Sequence, residues 1–149
     1  RDVERSRGLG DVYKRQIDID ARIAEKAGCS IPEIFAKGGE AAFRALEREV
    51  TAACGALSGK LLLTGGGVVK TPENYAALHQ NGRIYQLLRP LELLPTDGRP
   101  LSQGADLAAM WAERAPLYER FRDAAIDNSG TVEQTAQAIW RDFCENSGH

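Results

Sequence analysis

The chain has 149 residues, 43% of them apolar and 27% charged, with a formal net charge of −2. That size and balance suit a single globular domain and offer no basic surface for nucleic acid or other polyanions. No apolar run approaches the ~18 residues that cross a bilayer, and the N-terminus has no apolar signal core, so no membrane partner and a cytoplasmic location are expected. Cys29, Cys54 and Cys144 are odd in number and widely spaced, which fits reduced thiols better than a disulfide framework or a metal site. With His79 and His149 the only histidines, neither a histidine-based metal centre nor a Ser-His-Asp triad is expected.

Residues 1–16, RDVERSRGLGDVYKRQ, are charged, nearly free of aliphatic side chains, and show neither helical nor strand periodicity. Asp11 to Gln16 resembles the in-frame translation of a sequencing-library adapter. The expectation is a non-native or disordered leader, with the domain running over 17–147. From Ile17 the pattern alternates. Ile17 to Asp20 reads as the end of a strand, and Ala21 to Ala27 as a helix ended by Gly28. Ser30-Ile31-Pro32-Glu33 is a capping box with proline in the first turn, so a helix starts there and Gly38-Gly39 stops it. Glu40 to Leu57 reads as a long helix with Phe43, Leu46 and Val50 on one face.

Lys60 to Leu63 reads as a short buried strand leading through Thr64 into Gly65-Gly66-Gly67. Pro72 to Gln80 is a helix with Gly82 past its end, and Arg83 to Leu88 another strand. Residues 95–105 carry turn-formers and read as a loop. Asp106 to Phe121 is a helix and Ala124 to Asp127 a strand. Thr131 and Gln134 cap a last helix, in which Val132, Ala136, Ile139, Trp140 and Phe143 fall at helical spacing. Strands separated by helices predict an α/β fold, three layers with a parallel sheet between helices, and no second domain is indicated.

Three groups of residues could carry chemistry. Asp18 and Asp20, two apart at a strand end, would share a face and point into the crevice where parallel sheets bind ligands. Two carboxylates there suit magnesium handling and proton abstraction, although acids at a strand-to-helix turn, or Asp20 as a helix cap, account for them equally. Gly65, Gly66 and Gly67 permit close backbone approach and positive φ, as an anion- or hydroxyl-binding turn needs, or simply as a tight turn. Arg44, Arg99 and Arg114 have the forked, permanently charged head that grips carboxylate and phosphate, but any one of them also reads as a solvated surface residue.

Taken in order, these segments resemble shikimate kinase. The matching text is Ile17-Asp18-Ile19-Asp20, Ser30-Ile31-x-Glu33-Ile34-Phe35, Gly39-Glu40-x-x-Phe43-Arg44-x-x-Glu47, Thr64-Gly65-Gly66-Gly67, Gly98-Arg99-Pro100-Leu101 and Arg114-Ala115-Pro116-Leu117-Tyr118. The resemblance implies a nucleoside-monophosphate-kinase-like fold and transfer of phosphate from ATP, with Mg2+, to the 3-hydroxyl of shikimate in aromatic amino-acid synthesis. It implies that Asp20 holds the shikimate hydroxyls and takes the proton, and that Asp18 lies near the magnesium. Arg44 and Arg114 would clamp the carboxylate, and Gly66 and Gly67 would bind a ring hydroxyl in a turn shaped by Gly65. Phe35 and Phe43 would wall the ring, Glu47 would orient Arg44, and Arg99 would close over the phosphates. Shikimate binding would centre on residues 20–50 and the lid on 95–106. A monomer is expected, in a family whose members also occur fused to other enzymes of the pathway.

The sequence departs from the family at its start. The Gly-x-x-x-x-Gly-Lys-Ser/Thr loop that grips ATP is not among these residues, and Gly8-Leu9-Gly10 cannot replace it. The expectation is therefore a kinase lacking its first strand, phosphate loop and following helix, and inactive by itself. Glu92 to Thr96 and the Asp127-Asn128-Ser129-Gly130 turn also lack the basic residue expected near adenine. Two alternatives stay open: a non-catalytic shikimate-binding or regulatory module, and another small-molecule P-loop kinase such as a gluconate kinase.

Overall fold

A computed structural model describes residues 16–88 and 104–146. They fall into two compact units, divided between Gly82 and Arg83. The predicted leader up to residue 15, the predicted loop and lid through residue 103, and Arg99 within it lie outside the described residues.

The first unit begins with β1 (Gln16–Asp18), which pairs in parallel with β2 (Leu61–Leu63), Ile17 opposite Leu62 and Asp18 opposite Leu63. Parallel neighbours need a crossover, supplied here by α1 (Ile19–Ala27) and α2 (Ile31–Gly55). The strand ends two residues earlier than the sequence suggests. Asp18 has extended φ/ψ and its Oδ1 accepts the Ala21 N–H at 3.3 Å, so Asp18 is the N-cap and Asp20 already sits in the first helical turn. The period-2 reading that put both carboxylates on one strand face is thereby corrected: they are neighbours because a cap and the first turn of its helix are neighbours.

The capping box at Ser30 is formed in full. The Glu33 N–H donates to Ser30 Oγ at 3.3 Å, and the Ser30 N–H donates to Glu33 Oε1 at 3.0 Å. Glu33's carboxyl is held below the usual range by that Ser30 N–H bond. Gly39, at φ 75° and ψ −174°, breaks the helical path within α2, as the glycine pair predicts. Two helical stretches therefore meet at a kink there, and α2 denotes both together. Ile17, Ile19, Ile23, Ile34, Phe43, Val50 and Cys54 form the core of this unit, with Leu46 and Leu62 packed against it. Full burial of such side chains contributes about 1.5–3 kcal/mol each.

Strand β2 is less enclosed than expected. Leu62 turns to the core, whereas Leu61 and Leu63, alternating onto the other face, are 44% and 40% exposed. After it come a 3-10 helix (Gly66–Lys70) and α3 (Glu73–His79). Buried Asn74 ties the two together: its Nδ2 donates to the Val68 carbonyl at 2.9 Å.

The second unit repeats the parallel arrangement. β3 (Tyr85–Leu88) pairs with β4 (Ala124–Asp127), Tyr85 opposite Ala124, and α4 (Gly104–Phe121) precedes β4. Phe121 and Ile126 are its buried apolar residues among those described. The final helix α5 (Val132–Asn146) is capped as predicted. The Gln134 N–H donates to Thr131 Oγ1 at 3.1 Å, and the Thr131 N–H donates to Gln134 Oε1 at 2.9 Å. Among the described residues no helix is long and apolar enough to cross a membrane.

Candidate functional site

In the first unit the sequence-predicted residues meet around the glycine turn. Asp20, from the first turn of α1, places both carboxylate oxygens about where a β-carbon on Gly65 would touch them, at 3.5 and 3.6 Å. Its Oδ1 is buried and has no hydrogen-bond partner among the described residues. Burial pushes the Asp20 carboxyl above the usual carboxylate range, the neighbouring Asp18 charge adds to this, and Arg44 opposes it. An acid so placed holds a proton closer to neutral pH than a solvated aspartate does.

Arg44 rises from α2 and lays its guanidinium against Gly67. A β-carbon at that glycine would collide with Nη1, Nη2 and Cζ. None of Gly65, Gly66 and Gly67 has positive φ; among the described residues only Gly28, Gly39 and Gly59 do. The turn thus uses none of the positive φ that its glycines allow. Gly67 contributes missing volume, because the Arg44 guanidinium occupies the space that its β-carbon would fill, whereas a β-carbon at Gly65 would only touch Asp20.

The guanidinium is fixed from both sides. Arg44 Nη1 donates to Glu47 Oε1 at 3.0 Å, and Arg44 Nε donates to Glu40 Oε2 at 3.1 Å. Glu47 is 1% exposed, so its charge is tolerable only when paired. Glu40 is exposed, and it also accepts from Lys70 Nζ at 2.7 Å. Lys70 first, and then Arg44, hold the Glu40 carboxyl below its usual range. Beside this group Phe35 and Phe43 stack with centroids 4.9 Å apart, and Arg44 Cζ lies 5.1 Å from the Phe43 ring centre. Phe43 is buried and Phe35 half open to solvent.

Sequence reasoning gave no role to Glu40 or Lys70. Glu40 was detectable, as an acid four residues before an arginine on one helix. Lys70 lies thirty residues from Glu40 and had no local signal.

Arg114 belongs to the second unit, on α4. Its Nε is buried with no hydrogen-bond partner among the described residues. In the same unit Asp142 ties α5 to β3. Arg83 Nε donates to Asp142 Oδ2 at 2.6 Å and Tyr85 Oη donates to the same oxygen at 2.8 Å. Burial, and then Asp142, push the Tyr85 hydroxyl up to about 12. Among the described residues no group of three or more His, Cys, Asp or Glu side chains could hold a metal by itself.

Parallel strands joined through helices, with an acid and an arginine converging on a glycine turn after a strand, fit the nucleoside-monophosphate-kinase-like class of α/β fold. The family model described as shikimate kinase matches residues 9–144, and the chain belongs to the shikimate kinase family. It is 40% identical to the shikimate kinase of Synechococcus sp. (strain CC9605) over 132 residues, covering 83% of this chain and 66% of that protein. It is 42% identical to that of Stenotrophomonas maltophilia (strain K279a) over 131 residues, covering 82% and 73%. The chain thus spans less than two thirds of the first of these relatives. Among solved structures it is similar to the shikimate kinase from Acinetobacter baumannii in complex with shikimate. There the TM-score is 0.82 at 30% identity, over 96% of this chain and 86% of that one. The shikimate kinase from Aquifex aeolicus gives a TM-score of 0.80 at 26% identity, over 96% and 87%.

Proposed function

We propose that this chain binds shikimate and forms the acceptor side of an ATP-dependent kinase that phosphorylates the 3-hydroxyl of shikimate. One observation carries the reading: an aspartate of raised pKa and a doubly braced arginine face the same side-chain-free stretch, Gly65 to Gly67. A small polyhydroxylated carboxylic acid needs these elements. Arg44 grips its carboxylate through paired N–H groups, the role that the family resemblance also gives to Arg114. The backbone at Gly66 and Gly67, where no side chain intervenes, binds a ring hydroxyl, in a turn that Gly65 keeps open to Asp20. Phe35 and Phe43 cover the apolar ring edge, and Glu47 sets the angle of Arg44. The similarity to a shikimate kinase solved with shikimate supports this assignment.

Asp20 takes the proton as the hydroxyl oxygen forms its bond to the γ-phosphorus and the bond to ADP breaks. Phosphoryl transfer asks chiefly for positioning and charge neutralisation. Magnesium fits here in a limited way. Mg2+ is usually held by one or two carboxylates plus water and phosphate oxygens, and Asp18 and Asp20 are two such carboxylates. Asp18 would hold it, since only its Oδ1 is engaged by the helix cap. The metal would neutralise phosphate charge, a task shared with Arg99.

No Gly-x-x-x-x-Gly-Lys-Ser/Thr occurs in the 149 residues. Binding and transfer are therefore expected to separate in this chain. Titration calorimetry of shikimate into the purified chain should give a one-to-one isotherm, while a coupled ADP assay stays at background. Absence of shikimate binding, or preference for gluconate, would sink the substrate assignment. Turnover at an ordinary kinase rate would show instead that the phosphate loop is dispensable.

A further inference from the structure

Lys70 ends the 3-10 helix whose first residues seat the Arg44 guanidinium. Its Nζ donates at 2.7 Å to Glu40 Oε2, the same oxygen that accepts Arg44 Nε at 3.1 Å. Buried Val68 and Val69 anchor the middle of that 3-10 helix, and Asn74 holds the Val68 carbonyl. Arg44 is thus set between a buried acid, Glu47, and an exposed one, Glu40. Glu47 is fixed by packing. Glu40 is a flexible side chain on the helix surface, and left alone it would sample several rotamers. The Lys70 contact removes that freedom and ties the angle of the guanidinium to the glycine turn it lies against.

We infer that Lys70 is a positioning residue for the acceptor substrate: through Glu40 it fixes the fork of Arg44 in the orientation that grips the carboxylate. The inference rests on the shikimate reading above. Lys70 touches no reacting atom in this arrangement, and an exposed ion pair of this kind adds little to fold stability.

The test is a set of variants read by shikimate calorimetry and by thermal unfolding. Lys70→Met should weaken shikimate binding about fivefold, the upper range for an exposed ion pair, with an unchanged unfolding midpoint. Lys70→Arg, which keeps charge and donors, should retain most of the affinity. If Lys70 acts through Glu40, the double variant Glu40→Gln, Lys70→Met binds no worse than Glu40→Gln alone. Additive losses would mean that Lys70 merely attracts the carboxylate from a distance, and would overturn the inference, as would wild-type affinity in Lys70→Met. Should the wild-type chain bind no shikimate, the substrate reading is what fails. The positioning role is then read directly from the Arg44 Nε–H by NMR. Its exchange with water should be slower in wild type than in Lys70→Met, and equal rates would overturn it.

Discussion

Arg44 in the first unit and Arg114 in the second have the same head group and opposite surroundings. Arg44 meets two carboxylates, one of them buried, and its orientation is set before any ligand arrives. Arg114 has a buried Nε with no partner among the described residues. A buried donor without an acceptor costs roughly 1–3 kcal/mol. One arginine is braced by two acids of its own helix, and the other keeps a buried Nε that no described residue satisfies.

The contrast is broken most sharply by truncating the two arginines. Arg44→Ala removes the guanidinium that pairs with buried Glu47, so it should cost about 3 kcal/mol in urea unfolding and abolish measurable shikimate binding. Arg114→Met, which keeps the apolar stem and deletes the Nε that no described residue satisfies, should raise stability by about 1 kcal/mol. Equal destabilisation by both changes would erase the distinction.

A smaller effect is expected at Asp20. Its carboxyl is raised, so charging it disfavours the folded state. Asp20→Asn should therefore stabilise the chain at neutral pH, by under about 1 kcal/mol once solvent screening of a half-buried group is allowed for. The gain should fade as pH falls through the raised folded pKa, and vanish below the unfolded value of about 3.9. Unfolding midpoints of both proteins across pH 3–8 give the curve, and a gain that grew toward acid pH would refute the sign.

Smallest is the change in the second unit at Tyr85. Asp142→Asn should bring its hydroxyl down from about 12 toward the ordinary value of about 10, although burial, the larger cause, remains. Ultraviolet titration of tyrosinate reads this directly.

What was legible in the sequence was local. Both capping boxes, Ser30 with Glu33 and Thr131 with Gln134, close over three residues, and their chemistry does not depend on the rest of the fold. Gly39 likewise announces a break wherever the helix goes. The errors arose where a residue had two local options or a distant partner. The sequence allows Asp20 to end the strand or cap the helix; Asp18 does both instead, because its extended backbone ends β1 and lets its carboxylate reach the Ala21 N–H. Leu61 and Leu63 look like core residues, but a strand has two faces and only Leu62 turns inward. The site residues were legible as a resemblance in motif order. The Lys70–Glu40 link was not, because two residues thirty positions apart become neighbours only after α2 and the 3-10 helix are in place.

Gly67 has a consequence for how this site can vary. Its φ is not positive, so what it forbids is bulk rather than handedness. Positions 67 and 44 therefore share a single parcel of space, filled almost entirely from the arginine side. A methyl group at 67 could coexist with a shorter residue at 44, or with an arginine rotated off its two acids, but not with both features as they stand. The smallest residue in the site thus decides where the arginine head can lie, since a β-carbon at 67 would displace the guanidinium from its present seat.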